Sequence, residues 1–191
     1  MHKFFTHFSI AALLSLSLPA IAEDKKEEKK EPTPFTVADG KLAFKAPATW
    51  KKKTPRSNII EVEFEAAAAK GDEIAGRLTI MGAGGDIKQN IDRWNGQFLQ
   101  PDGGETKSKV EKTTVGGNTV HLVDVSGTYK DSPGGPLAGG KTINRENYRM
   151  LAAIIETKEA GNYFVKFYGP KATIAENEKG FQELLKSLVV K

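Results

Sequence analysis

Cysteine is absent from all 191 residues of the chain. That excludes disulfide staples, thiolate metal ligation, a cysteine nucleophile and a lipoprotein anchor on an acylated cysteine. Histidine is scarce as well: His2, His7 and His121 are the three present. Zinc is held chiefly by His and Cys, so one histidine among carboxylates is poor zinc chemistry. No apolar run is long enough to cross a bilayer, since Phe8–Leu18 is roughly half of the about 20 residues a spanning helix needs. An excess of one charge is also missing. The 28 basic residues stand against 24 acidic ones, and the lysines are dispersed among glutamates. Phosphate tracking needs a basic stripe with interleaved aromatics, so no nucleic-acid partner is expected. No Asp-rich loop has calcium spacing, and no serine stands in a G-x-S-x-G elbow.

What is present begins with a leader. Lys3, with His2 and His7, precedes Phe8–Leu18; Pro19 breaks any helix, and Ala20, Ile21 and Ala22 give the small-x-small pattern of a signal-peptidase site. Residues 1–22 are therefore expected to be a signal peptide cleaved after Ala22, with the product exported to the periplasm or the extracellular space. Residues 23–34 (EDKKEEKKEPTP) hold no apolar side chain and carry two prolines at their end, the composition of a disordered, charged linker. Residues 35–191 remain. These 157 positions suffice to bury roughly 70% of the unfolded surface in one core. A single domain is expected.

Within it the hydrophobic period alternates between two and about 3.6. Leu42, Phe44 and Ala46 predict a strand over Lys41–Pro47, with Trp50 in the turn beyond it. Ile60, Val62 and Phe64 alternate with Glu61, Glu63 and Glu65, predicting a strand over Asn58–Ala66 with one wet face. Arg77–Met81 is a third strand. Ile87, Ile91, Trp94 and Phe98 then share one helical face, predicting a helix over Asp86–Leu99 with Asp86 at its N-terminus. Lys107–Val115 and Thr119–Tyr129 flank Gly116-Gly117 as a hairpin, and Tyr148–Thr157 pairs with Tyr163–Tyr168. Ile174, Phe181, Leu184, Leu185 and Leu188 close the chain as an amphipathic helix across Gly180. The order β-β-β-α-β-β-β-β-α is that of an α+β domain, a mainly antiparallel sheet flanked by helices.

Candidate sites are few. GPLAGGKT (Gly135–Thr142) matches G-x-x-x-x-G-K-[ST] by letter, but a P-loop leaves a buried strand directly and enters a helix. Here Lys130–Pro133 intervene and Tyr148–Thr157 reads as strand, so a surface loop is expected. Gly82, Gly84 and Gly85 precede the first helix, yet the third glycine of a dinucleotide fingerprint would fall at Ile87, and Asp86 would repel a pyrophosphate. His121 stands alone between Val120 and Leu122 and reads as a packed or edge residue. Asn90, Arg93 and Gln97 lie three and four apart beside Trp94, so these four residues are the candidate partner-binding set. The bland alternative is a solvated helix back with Trp94 packed on the sheet. No residue is assigned a catalytic, cofactor or metal role.

FKAPATW (Phe44–Trp50), YFVKFYGPKATI (Tyr163–Ile174) and FQELLKSLVV (Phe181–Val190) together give residues 35–191 a resemblance to the PsbP-like superfamily. NIDRWNGQF (Asn90–Phe98) is similar to a segment of exported bacterial proteins of unassigned function. The resemblance implies an α/β/α sandwich and a non-enzymatic domain, such domains serving as extrinsic photosystem subunits and protein-binding modules. The chain lacks histidine segments matching the ion contacts of the photosystem members, so no ion or partner site is carried over. The expected function is a secreted or periplasmic binding or accessory domain recognising a protein or an envelope component, without a cofactor. The alternatives are an envelope hydrolase using carboxylates, and a structural or stress-related protein without a ligand.

Overall fold

The computed structural model describes residues 31–132 and 141–191. Strands form where apolar residues alternate, and hairpins join most of them. In chain order the elements are β1 (Thr33–Val37), β2 (Leu42–Ala46), β3 (Lys51–Lys53), β4 (Val62–Ala66), β5 (Gly76–Ala83), α1 (Ile87–Asn95) and β6 (Phe98–Leu99). Then come β7 (Lys109–Val115), β8 (Asn118–Asp131), β9 (Ile143–Thr157), β10 (Gly161–Pro170), α2 (Lys171–Lys186) and β11 (Val189–Val190). The main sheet runs β3-β4-β5-β10-β9-β8, with β6 and β7 both on the outer edge of β8. A second sheet runs β1-β2-β11, and all pairings are antiparallel. The two helices make this an α+β sandwich.

Side chains of one strand point alternately to opposite faces, and β10 shows what that does here. Tyr163, Val165 and Phe167 enter a core shared with Phe44, Phe64, Ile174, Phe181 and Leu184, roofed by α2 and the small sheet. Phe164 enters the opposite core, with Trp94, Val123, Val125, Met150 and Ile154. Helix α1 has nine residues, and the apolar cluster it joins draws on β6, β8, β9, β10 and the end of β5. The other side of that face is polar. By register, Glu63, Thr79 and Lys166 form one cross-strand row, and Glu65, Arg77 and Tyr168 the next.

Caps fix both helices. The Asp86 carboxylate accepts from Gln89 N at 2.9 Å, an N-cap of the kind that contributes about 1 kcal/mol. Helix α2 opens on Pro170, which has no capping side chain; instead Asp72 reaches in from a distant loop and accepts from Thr173 N and Thr173 Oγ1 at 3.0 and 2.7 Å.

Several expectations are corrected. The first helix stops at Asn95, and Phe98 is strand: β6 pairs with Thr128 and Tyr129, so Phe98 reaches the same core from a different element. Gly127 permits that approach, because a Cβ there would lie 2.5 Å from Leu99 O. The glutamate face of β4 is not uniformly wet, since Glu63 is 3% exposed and ion-paired with Arg77. Trp50 lies in the core and donates from Nε1 to Asn177 Oδ1 at 3.0 Å, tying the turn before β3 to α2. Hydrophobic periodicity does not predict the short strands β1, β3, β6 and β11, and β1 starts at Thr33, inside the segment read as linker.

Candidate functional site

Helix α1 separates the four residues that sequence spacing groups together. Trp94 is fully buried and packs edge-on against Phe164, with ring centroids 5.1 Å apart. Asn90 is buried, donates to Gly84 O and Asp86 O, and accepts from Arg93 Nη2 at 2.8 Å. Gln97 lies beyond the helix, half-buried, and its Oε1 accepts from Lys166 Nζ at 3.1 Å. Arg93 alone is exposed. The four belong to one neighbourhood, but they do not converge on a common point in solvent.

They meet instead a cluster that sequence spacing does not reveal. Lys166 projects from the middle of β10 onto the α1 face, where its Nζ stands 5.7 Å from the Trp94 ring and 5.6 Å from the Tyr168 ring. Among the described residues no carboxylate pairs with it. Burial, then the charges of Arg93 and Arg77, lower its pKa from 10.5 to about 7. Arg77 donates from Nε and Nη2 to the two oxygens of Glu63, each at 2.8 Å, and from Nη1 to the Tyr168 hydroxyl. Burial alone would raise the Glu63 carboxyl, but the hydrogen bonds and charge of Arg77 prevail and hold it below its usual range. Tyr129 stacks on Tyr148 and tilts against Tyr168, extending an aromatic row from the cluster.

A second feature lies on the opposite face. Between α2 and β7–β9 runs a groove of about 330 Å³. Its floor is Val115, Leu122, Leu151, Phe181 and Leu185; its rim carries Lys109, Glu111, Gln182 and Lys186. Two lining carboxylates, Asp124 and Glu178, are held by Arg149, which bonds both Asp124 oxygens at 2.9 and 2.7 Å and Glu178 at 2.7 Å. The groove is lined by β7 on one side and α2 on the other. Six of the seven residues of β7 are exposed and the last is half-buried. Lys109, Glu111, Thr113 and Val115 register with Asp124, Leu122, Val120 and Asn118, and so face the groove. On its other side β7 has no pairing strand among the described residues. The opposite edge of the sheet differs: β3 is three exposed lysines, short and charged, which resists strand addition.

The motifs read for nucleotide chemistry do not assemble. Gly135–Gly140 lies outside the described residues, and the element after Thr142 is β9, an antiparallel strand that offers no helix N-terminus. Gly82 lies within β5, and Gly85 takes φ +93° to turn the chain into the Asp86 cap. His121 sits on β8 beside Glu156, with Nε2 2.7 Å from Oε1, a rim pair with no nucleophile bonded to it. Asp124 and Glu178, the carboxylates that could have formed an acid–base pair in the groove, are both held by Arg149. Among the described residues no group of three or more His, Cys, Asp and Glu could hold a metal ion, and no helix is long and apolar enough to cross a membrane.

No protein-family model matches the sequence, and no curated protein matches it. Solved structures do. The cyanobacterial PsbP (CyanoP) of Synechocystis sp. PCC 6803 aligns with a TM-score of 0.52 at 10% identity, over 85% of this chain and 94% of that one. LpqN, involved in cell envelope biogenesis of Mycobacterium tuberculosis, aligns with a TM-score of 0.53 at 10% identity, over 84% of this chain and 91% of that one. At such identity the likeness concerns the backbone alone. The antiparallel sheet between α1 on one face and α2 on the other is a PsbP-like fold.

Proposed function

We propose that the mature chain is an exported accessory domain without catalytic chemistry of its own, which recognises an envelope protein by taking one of its extended segments onto the free edge of β7. The observation that carries this reading is the juxtaposition of an unpaired seven-residue strand edge with an apolar groove beside it. An added strand would gain main-chain hydrogen bonds along about 24 Å of edge. Its alternate side chains would enter the groove, so apolar residues at every second position are the expected signature. The signal-peptide pattern expected from the sequence of residues 1–22 supports an envelope partner, and the shared fold with an envelope-biogenesis protein is in keeping with it.

Photo-crosslinking tests this in the full chain. A photoreactive residue at Thr113 should yield an adduct with a partner segment, while the same residue at Lys53 on the lysine edge should not. A synthetic peptide of the captured segment should bind the purified protein, and Gln182→Trp, which fills the groove mouth, should abolish that binding. Silence at Thr113, an adduct only with a second copy of the chain, or binding unchanged by Gln182→Trp would each overturn the proposal.

A further inference from the structure

The two faces of the main sheet are finished differently. The α2 face packs an apolar core, whereas on the α1 face the apolar cluster around Trp94 adjoins a polar row in which Glu63 and Thr79 are buried and Arg77, Lys166 and Tyr168 half-buried. At the boundary stands Lys166, a lysine in the centre of the central strand β10, walled by two aromatic rings and, among the described residues, hydrogen-bonded only to the neutral Gln97. An ammonium in such a place loses water and, with Arg93 and Arg77 nearby, meets charges of its own sign. A residue that breaks the local rules with no compensating partner marks a functional position.

The charges facing it define what is missing. From β5 comes Arg77, from α1 Arg93, and from the loop before β4 Arg56, whose Nε lies 3.7 Å from Glu63. From β4 come Glu63 and Glu65: the first is bound to Arg77 and Arg56, the second to Lys53. Tyr168 and Tyr129 are neutral, their hydroxyl pKa values raised by burial. Among the described residues every acid of the cluster is already taken, and Lys166 and Arg93 are left without one. The indole Nε1 of Trp94 is a further buried donor without a hydrogen-bond partner among the described residues.

We infer that Lys166, Arg93 and Arg77 form a binding site for an oxyanion, a carboxylate or a sulfate-like group, which arrives from solvent beside α1, where Arg93 is exposed and Lys166, Arg77 and Tyr168 are half-buried. Arg93 is exposed and meets the ligand first; Lys166 receives it between the rings, and Arg77 is held in place by Glu63. The site lies on the opposite face from the β7 groove and stands independently of it.

Intrinsic tryptophan fluorescence tests the site, because Trp94 forms one of its walls. Sulfate and acetate are titrated into the full mature chain against chloride at equal ionic strength, at pH 6 and pH 8. A saturable response to sulfate identifies a tetrahedral ligand and one to acetate a carboxylate; either supports the site. Binding should be about tenfold weaker at pH 8, following the protonated fraction of an amine that titrates near 7. Lys166→Met should abolish the response, and Arg93→Gln, a surface change that leaves the fold intact, should weaken it several-fold. No saturation beyond the chloride control, equal responses at the two pH values, or a response that survives Lys166→Met would overturn the inference.

Discussion

Replacing Lys166 by methionine should make the protein more stable. The side chains are of similar length and volume, so the aromatic walls of Trp94 and Tyr168 can close on the thioether without a cavity. The magnitude comes from linkage. In the unfolded chain the amine titrates near 10.4; in the fold it titrates at about 7. The unfolded state therefore binds more protons between these two values, so stability climbs as pH rises through that window and is flat below it. At neutral pH the charge opposes folding on the order of 4 kcal/mol. The hydrogen bond to Gln97 returns about 1 kcal/mol, leaving a net gain of about 3 kcal/mol for Lys166→Met. In a domain of this size that raises Tm by roughly 6–12 °C. The assay is thermal and urea unfolding of both proteins from pH 6 to pH 10. The advantage of the variant should shrink steadily from pH 7 to pH 10, because the native lysine is then neutral in the fold while the unfolded chain is only beginning to release its proton. A variant less stable than the parent at pH 7, or an advantage independent of pH, would refute the placement of the amine.

Glu63→Gln removes the charge that compensates the half-buried Arg77, and should cost about 3 kcal/mol, or roughly 6–12 °C in Tm. Because Arg77 holds the Glu63 carboxyl below its usual range, that stabilisation is present above the unfolded carboxylate pKa and is lost as pH falls through the depressed folded value. The gap between parent and variant should therefore narrow in acid unfolding curves. Trp94→Ala should cost about 3–5 kcal/mol in urea denaturation, whereas Arg93→Ala, on an exposed side chain, should stay within about 0.5 kcal/mol. Gly180→Ala should be destabilising by about 1 kcal/mol although alanine is the better helix former, because the new Cβ would lie 2.9 Å from Pro47 Cγ and 3.4 Å from Trp50 Cζ2. A stabilised Gly180→Ala, read by thermal melting, would refute the packing of α2 on that turn.

The long elements are legible in the sequence because each carries many repeats of its own period. Fourteen residues of β8 and the apolar stripe of α2 leave little room for another reading. Strands of two and three residues carry no period: β6 and β11 exist because β8 and β2 offer them free edges. Phe98 illustrates the resulting error. Its spacing from Trp94 fits a helix, yet the chain turns at Gly96 and delivers the ring to the same core from a strand. Glu63 reads as wet because alternation assigns faces but does not say which polar residues find a buried partner. Arg77, fourteen positions away, is that partner. The Lys166 cluster is hidden by distance, since Gln97 lies 69 positions from it in sequence. One signal does exist. Val165 and Phe167 flank Lys166 in a run, Tyr163–Tyr168, that is otherwise apolar or aromatic. Such a run marks a strand covered on both faces, and its lysine must meet one of the layers.

Amide hydrogen exchange across Lys109–Val115 tests the central claim most directly, measured on the full chain alone and with the segment captured at Thr113. The account predicts that bound peptide slows the β7 amides and leaves the β3 edge unchanged. Protection confined to α1, to β3, or to no strand at all would contradict it.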